Sequence, residues 1–177
     1  EDIPDLLKKM GAENICEIGV RYGEHLSYLL VDNIKLAVAV DIWRETGVVS
    51  QNDVLSSQEE LDRQYENMLQ WAKRDNRLTI IRELSTSAST KFEDSFFDFV
   101  YIDADHTEQA VTADINSWWS KVRSGGILSG HDYSPAIVTV GGVVLKFGVI
   151  EAVNKFVRNN NLNLYVDKNQ SWFIIKP

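Results

Sequence analysis

The residues best suited to chemistry stand at the ends of short apolar runs. One run, residues 97–103, closes on Asp103-Ala104-Asp105-His106, and another, residues 126–131, closes on Gly130-His131-Asp132. If the two runs are neighbouring strands of one parallel sheet, two acids and a histidine from the first face His131 and Asp132 from the second. Burying like charges together is costly, so five ionisable groups at adjacent strand ends call for a compensating role. A divalent cation would neutralise the acids; a histidine placed for proton transfer is the other resolution. Single members have plainer uses. Asp105 is placed to cap a helix beginning near His106, with Glu108 at the third helical position.

A second group of residues suits ligand binding. The first apolar run ends Cys16-Glu17-Ile18-Gly19-Val20-Arg21-Tyr22-Gly23. Gly19 would let a ligand approach the backbone closely, and Gly23 would let a helix start beneath it. Arg21 and Tyr22 break the spacing of the dinucleotide fingerprint G-x-G-x-x-G, and no Lys-Ser/Thr pair makes a P-loop. Glu17 would oppose a pyrophosphate but welcome an ammonium group. The second run ends Val38-Ala39-Val40-Asp41. An acid closing the second strand, about 20 residues beyond the glycine turn, is placed to accept hydrogen bonds from ribose hydroxyls. A helix cap or a solvated strand end is the plainer alternative for Asp41. Together the two motifs argue for an adenosine-bearing ligand with a positive charge near Glu17. The third run ends Glu83-Leu84-Ser85, where Ser85 either caps the next helix or meets a base ring.

Positioning these groups requires strands and helices in alternation. Runs at residues 14–20, 35–41, 78–84, 97–103, 126–131, 162–166 and 171–176 are short, rich in Val, Ile and Phe, and bounded by polar or glycine signals. They read as buried strands. Between them, Leu61, Tyr65, Met68, Leu69 and Ala72 repeat at helical spacing, as do Val111, Ile115, Trp118, Trp119 and Val122, and Phe147, Ile150, Val153, Phe156 and Val157. Each set describes one buried helix face. Shorter helices are expected over residues 23–31 and 85–92. The alternation implies parallel pairing with right-handed crossovers and helices on both faces of the sheet. Only Asp167, Lys168 and Asn169 lie clearly between the last two runs, too few for a crossover, so those two pair as an antiparallel hairpin. The β-branched residues 137–145 around Gly141-Gly142 suggest a further hairpin, a flap that serves as lid, dimer contact or long loop. The segment 133–146, which contains this flap, and the connection 42–56 are the segments that could select a substrate.

Composition narrows the partners. The chain has 177 residues, 44% hydrophobic and 25% charged, which suits one soluble globular domain over residues 1–177. No repeat or low-complexity linker divides it, and no apolar run reaches the ~20 residues of a membrane span. The acidic start, Glu1, Asp2 and Asp5, is unlike a targeting segment. A lone cysteine, Cys16, forms no internal disulfide, and a reducing cytoplasm is expected. With 18 Lys and Arg against 26 acids, the net charge of -8 disfavours nucleic acid and anionic membrane. A small-molecule partner is expected.

Taken together, these motifs resemble class I S-adenosylmethionine-dependent methyltransferases over nearly the full length. The resemblance is carried by Glu17-Ile18-Gly19 to Gly23, Val40-Asp41, Phe97-Asp98-Phe99-Val100-Tyr101-Ile102-Asp103-Ala104-Asp105-His106, Ser124-Gly125-Gly126-Ile127-Leu128 and the closing Ser171-Trp172-Phe173-Ile174-Ile175-Lys176. It implies a Rossmann-like α/β fold: a doubly wound, mostly parallel seven-stranded sheet, ordered 3-2-1-4-5-7-6, with an antiparallel last strand. Within the class the chain looks most like small bacterial-type members related to metal-dependent O-methyltransferases of the catechol and caffeoyl-coenzyme A kind. The implied roles place Glu17 and Gly19 at the cofactor's methionine end, Gly23 in the cofactor-binding turn, Asp41 on the ribose and Ser85 beside the adenine. Asp103, His131 and Asp132 fall where metal-dependent relatives hold a divalent ion, with Asp103 also lining the cofactor site. The chain departs from the catechol pattern, because His131-Asp132 replaces a carboxylate followed by asparagine. A histidine ligand disfavours magnesium and admits manganese, iron or zinc. Alternatively His131, with Asp103, is catalytic as the base that takes the acceptor's proton.

The expected activity is methyl transfer to a hydroxyl of a small acceptor, a sugar, phenol or natural product. An NAD(P)-dependent oxidoreductase shares the glycine turn and Asp41 but lacks the third glycine and leaves the Asp/His group without a role. A non-catalytic S-adenosylmethionine-binding module is the remaining alternative. No separate domain caps the site, so a homodimer partner is a candidate to close it.

Overall fold

Along the first strand, β1 (Asn14–Ile18), successive side chains enter two different apolar environments, Ile15 one and Cys16 and Ile18 the other. Two-residue periodicity buried on both faces is what a central strand of a doubly wound sheet requires. A computed structural model of the chain describes residues 2–45, 57–135, 137–140 and 143–177. Its principal sheet contains β1, β2 (Leu36–Asp41), β3 (Leu78–Arg82), β4 (Phe97–Ile102), β5 (Val122–Gly130), β8 (Tyr165–Val166) and β9 (Trp172–Ile175). The order is β3-β2-β1-β4-β5-β9-β8. Leaving aside the separate hairpin of β6 (Ile137–Val140) and β7 (Val143–Lys146), this is the expected 3-2-1-4-5-7-6. β9 runs antiparallel to both β5 and β8, as the short connection demanded.

Helices cover both faces. On one, α1 (Ile3–Lys9), α2 (Glu24–Leu29) and α3 (Gln58–Ala72) bury Leu7, Leu26, Leu29, Leu61 and Met68 against Ile15, Ala37, Ala39, Phe99 and Tyr101. On the other, α4 (Ser85–Ser89), α5 (Glu108–Trp119) and α6 (Val149–Asn160) bury Ala88, Val111, Ile115, Trp118 and Val153 against Val38, Val40, Val100, Ile102 and Ile174. Each fully buried aliphatic or Phe side chain contributes about 1.5–3 kcal/mol, so the two layers fix strand order and orientation. At the edge remote from the glycine turn, Asp98 ties three strands together. Its Oδ2 accepts the N–H groups of Glu13 (2.8 Å) and Asn14 (2.7 Å), and its Oδ1 accepts Arg123 Nε (2.6 Å).

Several boundaries differ from the sequence expectation. β1 stops at Ile18 because Gly19 turns away with φ +86. Val122, expected to close a helical stripe, instead opens β5, because α5 already ends at Trp119 with Ser120 as its C-cap. α1 was not expected at all. Asp2 caps it by accepting from Asp5 N (3.0 Å), Pro4 stands in its first turn, and Lys8 and Lys9 close it. These signals were legible, but seven residues are too few for an apolar period. The predicted hairpin over 137–145 forms as β6 and β7, with Ile137 and Val144 exposed; Gly141 and Gly142 lie outside the described residues. So does most of the connection 42–56, from residue 46 onward. Among the described residues no helix is long and apolar enough to cross a membrane.

Candidate functional site

A cleft of ≈ 1190 Å³ opens at the carboxyl ends of β1, β2, β3, β4 and β5, the place where open parallel sheets bind ligands. The turn after β1 forms its floor. Gly19 donates its N–H to the Val40 carbonyl (2.8 Å), and Asp103 N donates to the Ile18 carbonyl (2.8 Å). A Cβ on Gly19 would stand 2.0 Å from the Asp103 carbonyl oxygen, so β4 itself demands a glycine there. Gly23, at the N-terminus of α2 with φ +79, is held small by Met68 and Trp71, whose atoms a Cβ would meet at 2.8 Å. Gly23 therefore packs against α3 rather than lining the cleft.

Glu17 is 1% exposed, and its Oε1 lies 3.0 Å from His25 Nδ1 on α2. The other oxygen, Oε2, is buried without a hydrogen-bond partner among the described residues, although Glu17 lines the cleft. Burial pushes the Glu17 carboxyl above its ordinary value, and the His25 contact pulls it back. The His25 ring rests on Tyr101, with centroids 4.1 Å apart. Such an acid, anchored on one oxygen and open on the other, suits an ammonium group.

Asp41 ends β2 as expected but is already engaged. Its Oδ2 accepts Arg21 N (2.8 Å) and its Oδ1 accepts Trp43 N (2.9 Å). Arg21 and Trp43 both have positive φ, at 53 and 40, and the buried Trp43 returns a bond from Nε1 to the Arg21 carbonyl (2.9 Å). Burial raises the Asp41 carboxyl, and the backbone N–H groups of Trp43 and Arg21 oppose that rise. Asp41 thus clasps the turns after β1 and β2 together. A carboxylate has about four acceptor directions, so capacity remains for ribose hydroxyls.

Beyond β3, Ser85 neither caps a helix nor offers a free hydroxyl. Leu84 holds the cap position of α4, Ser85 is its first helical residue, and Ser85 Oγ accepts Trp118 Nε1 at 2.8 Å. Asp114 on α5, which no motif or spacing singles out, lines this end of the cleft and is 5% exposed.

The ends of β4 and β5 bring the expected cluster together. One ligand atom from each of Asp103, His131 and Asp132 lies within 4.8 Å of the others, the one such group of three among the described residues. Asp132 reaches in because its backbone takes φ 56. His131 Nδ1 is 3.3 Å from Asp132 Oδ1. His106 proves central: its Nε2 is 3.2 Å from Asp103 Oδ1 and 3.0 Å from Asp132 Oδ2, with its ring against Phe147. Burial opposes a charge on His106, but its hydrogen bond to Asp103 and the charge of Asp132 outweigh it and raise its proton affinity. The Asp132 hydrogen bond raises that of His131 against partial burial. Burial works against ionised Asp132, and the His131 bond and His106 charge more than offset it. Asp105 takes a different part from the one expected. The cap of α5 is Thr107, whose side chain accepts from Ala110 N, while Asp105 Oδ1 accepts Thr107 N (2.9 Å) to form the turn before it. Glu108 is accordingly the first helical residue, too early to complete a capping box. One imidazole and two carboxylates could hold a first-row divalent cation, and Asp103 connects that group to the Gly19 turn.

A family profile described as a methyltransferase domain matches residues 16–133, from within β1 to just past Asp132. The chain belongs to this methyltransferase-domain family. Its fold is that of the class I S-adenosylmethionine-dependent methyltransferases. Solved structures agree in fold at low sequence identity. A protein from Staphylococcus aureus assigned as a caffeoyl-CoA O-methyltransferase superposes with a TM-score of 0.69 at 14% identity, covering 99% of this chain and 81% of that one. An O-methyltransferase from Bacillus cereus, in complex with S-adenosylhomocysteine (SAH), gives 0.60 at 17%, covering 98% and 79%. The 1,6-didemethyltoxoflavin-N1-methyltransferase of Burkholderia thailandensis, also with S-adenosylhomocysteine, gives 0.60 at 11%, covering 97% and 73%. No curated protein sequence matches the chain.

Proposed function

We propose that this methyltransferase transfers the methyl group of S-adenosylmethionine to an oxygen of a small-molecule acceptor, with Asp103, His131 and Asp132 holding a divalent cation beside that oxygen. The observation that carries the reading is the meeting of these three side chains within 4.8 Å at the edge of the cleft, next to the Gly19 turn. S-Adenosylmethionine supplies a methyl already activated by the sulfonium, whose C–S bond breaks as the new C–O bond forms, leaving a neutral thioether. The chain's own task is to align acceptor and methyl and to remove the acceptor's proton. Glu17 Oε2, buried and unpartnered among the described residues, is suited to the cofactor's ammonium group. Asp41 is suited to the ribose hydroxyls through the acceptor directions that Arg21 and Trp43 leave. A cation at the Asp/His cluster would supply positive charge that makes an acceptor hydroxyl easier to deprotonate. Two carboxylates and one imidazole fit manganese, iron or zinc better than magnesium. The names of two structural neighbours, both O-methyltransferases, support oxygen as the acceptor atom.

The net charge of -8 supports a small acceptor over a nucleic acid. The β6–β7 hairpin, whose Ile137 and Val144 are exposed and whose Val144 and Lys146 line the cleft, supports closure of the site by that hairpin or by a second copy. A second reading makes His131 the base, because Asp132 holds its Nδ1 and so orients the other ring nitrogen.

One experiment separates the two readings. Methyl transfer from labelled S-adenosylmethionine is assayed on a panel of phenols and sugars, with and without EDTA, while calorimetry follows binding of SAH. On the cation reading, EDTA abolishes turnover, manganese restores it and SAH affinity hardly changes. Turnover indifferent to EDTA overturns the cation in favour of His131 as base, and His131→Ala then lowers the rate by ~100-fold or more. Full turnover in both tests refutes both readings.

A further inference from the structure

His106 stands among the residues at the ends of β4 and β5 but is not one of the three proposed above to hold the cation. Its Nε2 is 3.2 Å from Asp103 Oδ1 and 3.0 Å from Asp132 Oδ2, so one nitrogen reaches carboxylates delivered by two different strands. A residue that steadied one acid would touch that acid alone. A nitrogen in reach of both stands where their acceptor directions converge, close to where a cation shared by them must lie. Metal–ligand bonds of about 2.0–2.2 Å set neighbouring ligand atoms about 3–3.5 Å apart. The two His106 separations fall in that range, as does the 3.3 Å between His131 Nδ1 and Asp132 Oδ1. The imidazole is also held in place. Its ring packs on Phe147 with centroids 4.6 Å apart, its backbone carbonyl accepts Gly148 N (2.8 Å), and its side chain is 17% exposed. Nδ1 takes no part in the contacts with Asp103 and Asp132, so it can carry the ring hydrogen while Nε2 offers its lone pair.

We propose that His106 is a fourth ligand of that cation, so that the site is built from two carboxylates and two imidazoles. The inference rests on the cation reading above and sharpens what the site selects. Imidazole donors favour first-row transition ions, whereas magnesium and calcium prefer oxygen. A second imidazole therefore moves the choice further from those two. It also joins the acceptor side of the cleft to the cation. Phe147 lines the cleft beside Val144 and Lys146 of the hairpin and packs on the His106 ring, so the segment that follows β7 sets where this ligand stands.

The test titrates cobalt(II), a paramagnetic ion suited to these donors, into the protein by calorimetry and follows the saturated complex by proton NMR in water. A histidine bound to cobalt shows its remaining ring N–H as a solvent-exchangeable signal shifted far outside the ordinary range. The unmodified protein should give two such signals, from His106 and His131, and none from the third histidine, His25, which is engaged with Glu17. Excess magnesium should leave both in place. His106→Gln can still donate a hydrogen bond to the carboxylates but has no imidazole. It should lose one signal and bind cobalt ~100-fold or more weakly, the upper end of what loss of a mere supporting contact costs. A single shifted signal in the unmodified protein overturns the assignment without recourse to any variant. Cobalt affinity unchanged or raised in His106→Gln overturns it as well, and displacement of cobalt by magnesium overturns the stated preference. If the unmodified protein gives neither shifted signals nor heat of binding, the cation reading itself fails, an outcome distinct from loss of the fourth ligand.

Discussion

Replacing Asp114 by asparagine should change how the stability of the protein responds to pH. Asp114 is 5% exposed, and burial with the charge of Asp105 raises its carboxyl from the ordinary 3.8 to about 6, against the favourable Ser85 contact. That rise is about two pH units, worth about 3 kcal/mol at 1.36 kcal/mol per unit. Below pH ~4 the group holds its proton in both the folded and unfolded chains. Between pH ~4 and ~6 only the folded chain retains it, and above ~6 the folded chain carries a buried carboxylate that the unfolded chain exposes to water. The folded state binds more protons through this window, so stability present at low pH is lost as pH rises through ~6. Asparagine has nearly the same shape and does not titrate. Urea unfolding at a series of pH values gives the free energy of each protein, and subtracting variant from unmodified protein cancels the other titrating groups. The difference should fall by about 3 kcal/mol between pH ~4 and ~7, nearly all of it below pH ~6.5. Parallel curves would refute the claim that Asp114 is a buried, destabilised carboxylate.

Two further outcomes follow from the glycine turn and its acid. Gly19→Ala forces a side chain into φ +86 and to 2.0 Å from the Asp103 carbonyl oxygen, so the urea midpoint should drop by the equivalent of ~2 kcal/mol or more; a loss under ~0.5 kcal/mol would mean that the β1–β4 contact is not that close. Glu17→Gln keeps the shape of a residue whose Oε2 is buried and unpartnered among the described residues, so SAH affinity should fall at least ~10-fold in calorimetry as the charge proposed to meet the ammonium is lost. Thermal unfolding of the free Glu17→Gln protein should stay level or rise, because a buried carboxylate is costly. A fall in melting temperature with affinity unchanged would make Glu17 a structural residue held for His25.

Much of this architecture can be read along the chain because strands and amphipathic helices announce themselves within a few residues. The apolar runs ending in Asp41 and Asp103 are strands, and the short connection between Val166 and Trp172 permits only reversal into β9. The convergence of Asp103 with His131 and Asp132 was likewise expected once β4 and β5 were neighbours, since strand ends meet where the sheet places them. Less was legible where one residue serves two masters. Asp41 looks like a ribose acid, yet its oxygens also clasp Arg21 and Trp43. Gly23 looks like a ligand-binding glycine, yet Met68 and Trp71 give its reason.

The sequence by itself determined the alternation of strands and helices, the reversed last strand and the identity of the groups at the strand ends, because these depend on periodicity and on chain length between elements. Only the tertiary structure decided which atoms those groups share. It gave Glu17 its partner His25 from α2, put His106 between the carboxylates of Asp103 and Asp132, turned the Ser85 hydroxyl toward Trp118, and brought Asp114 to the cleft from the middle of α5. Hydrogen bonds form over about 3 Å and depend on angle, so a turn that shifts a side chain by one helical position exchanges one partner for another. Nothing in local spacing records that choice; it is made when the two faces of the sheet are covered and the helix ends are fixed in place.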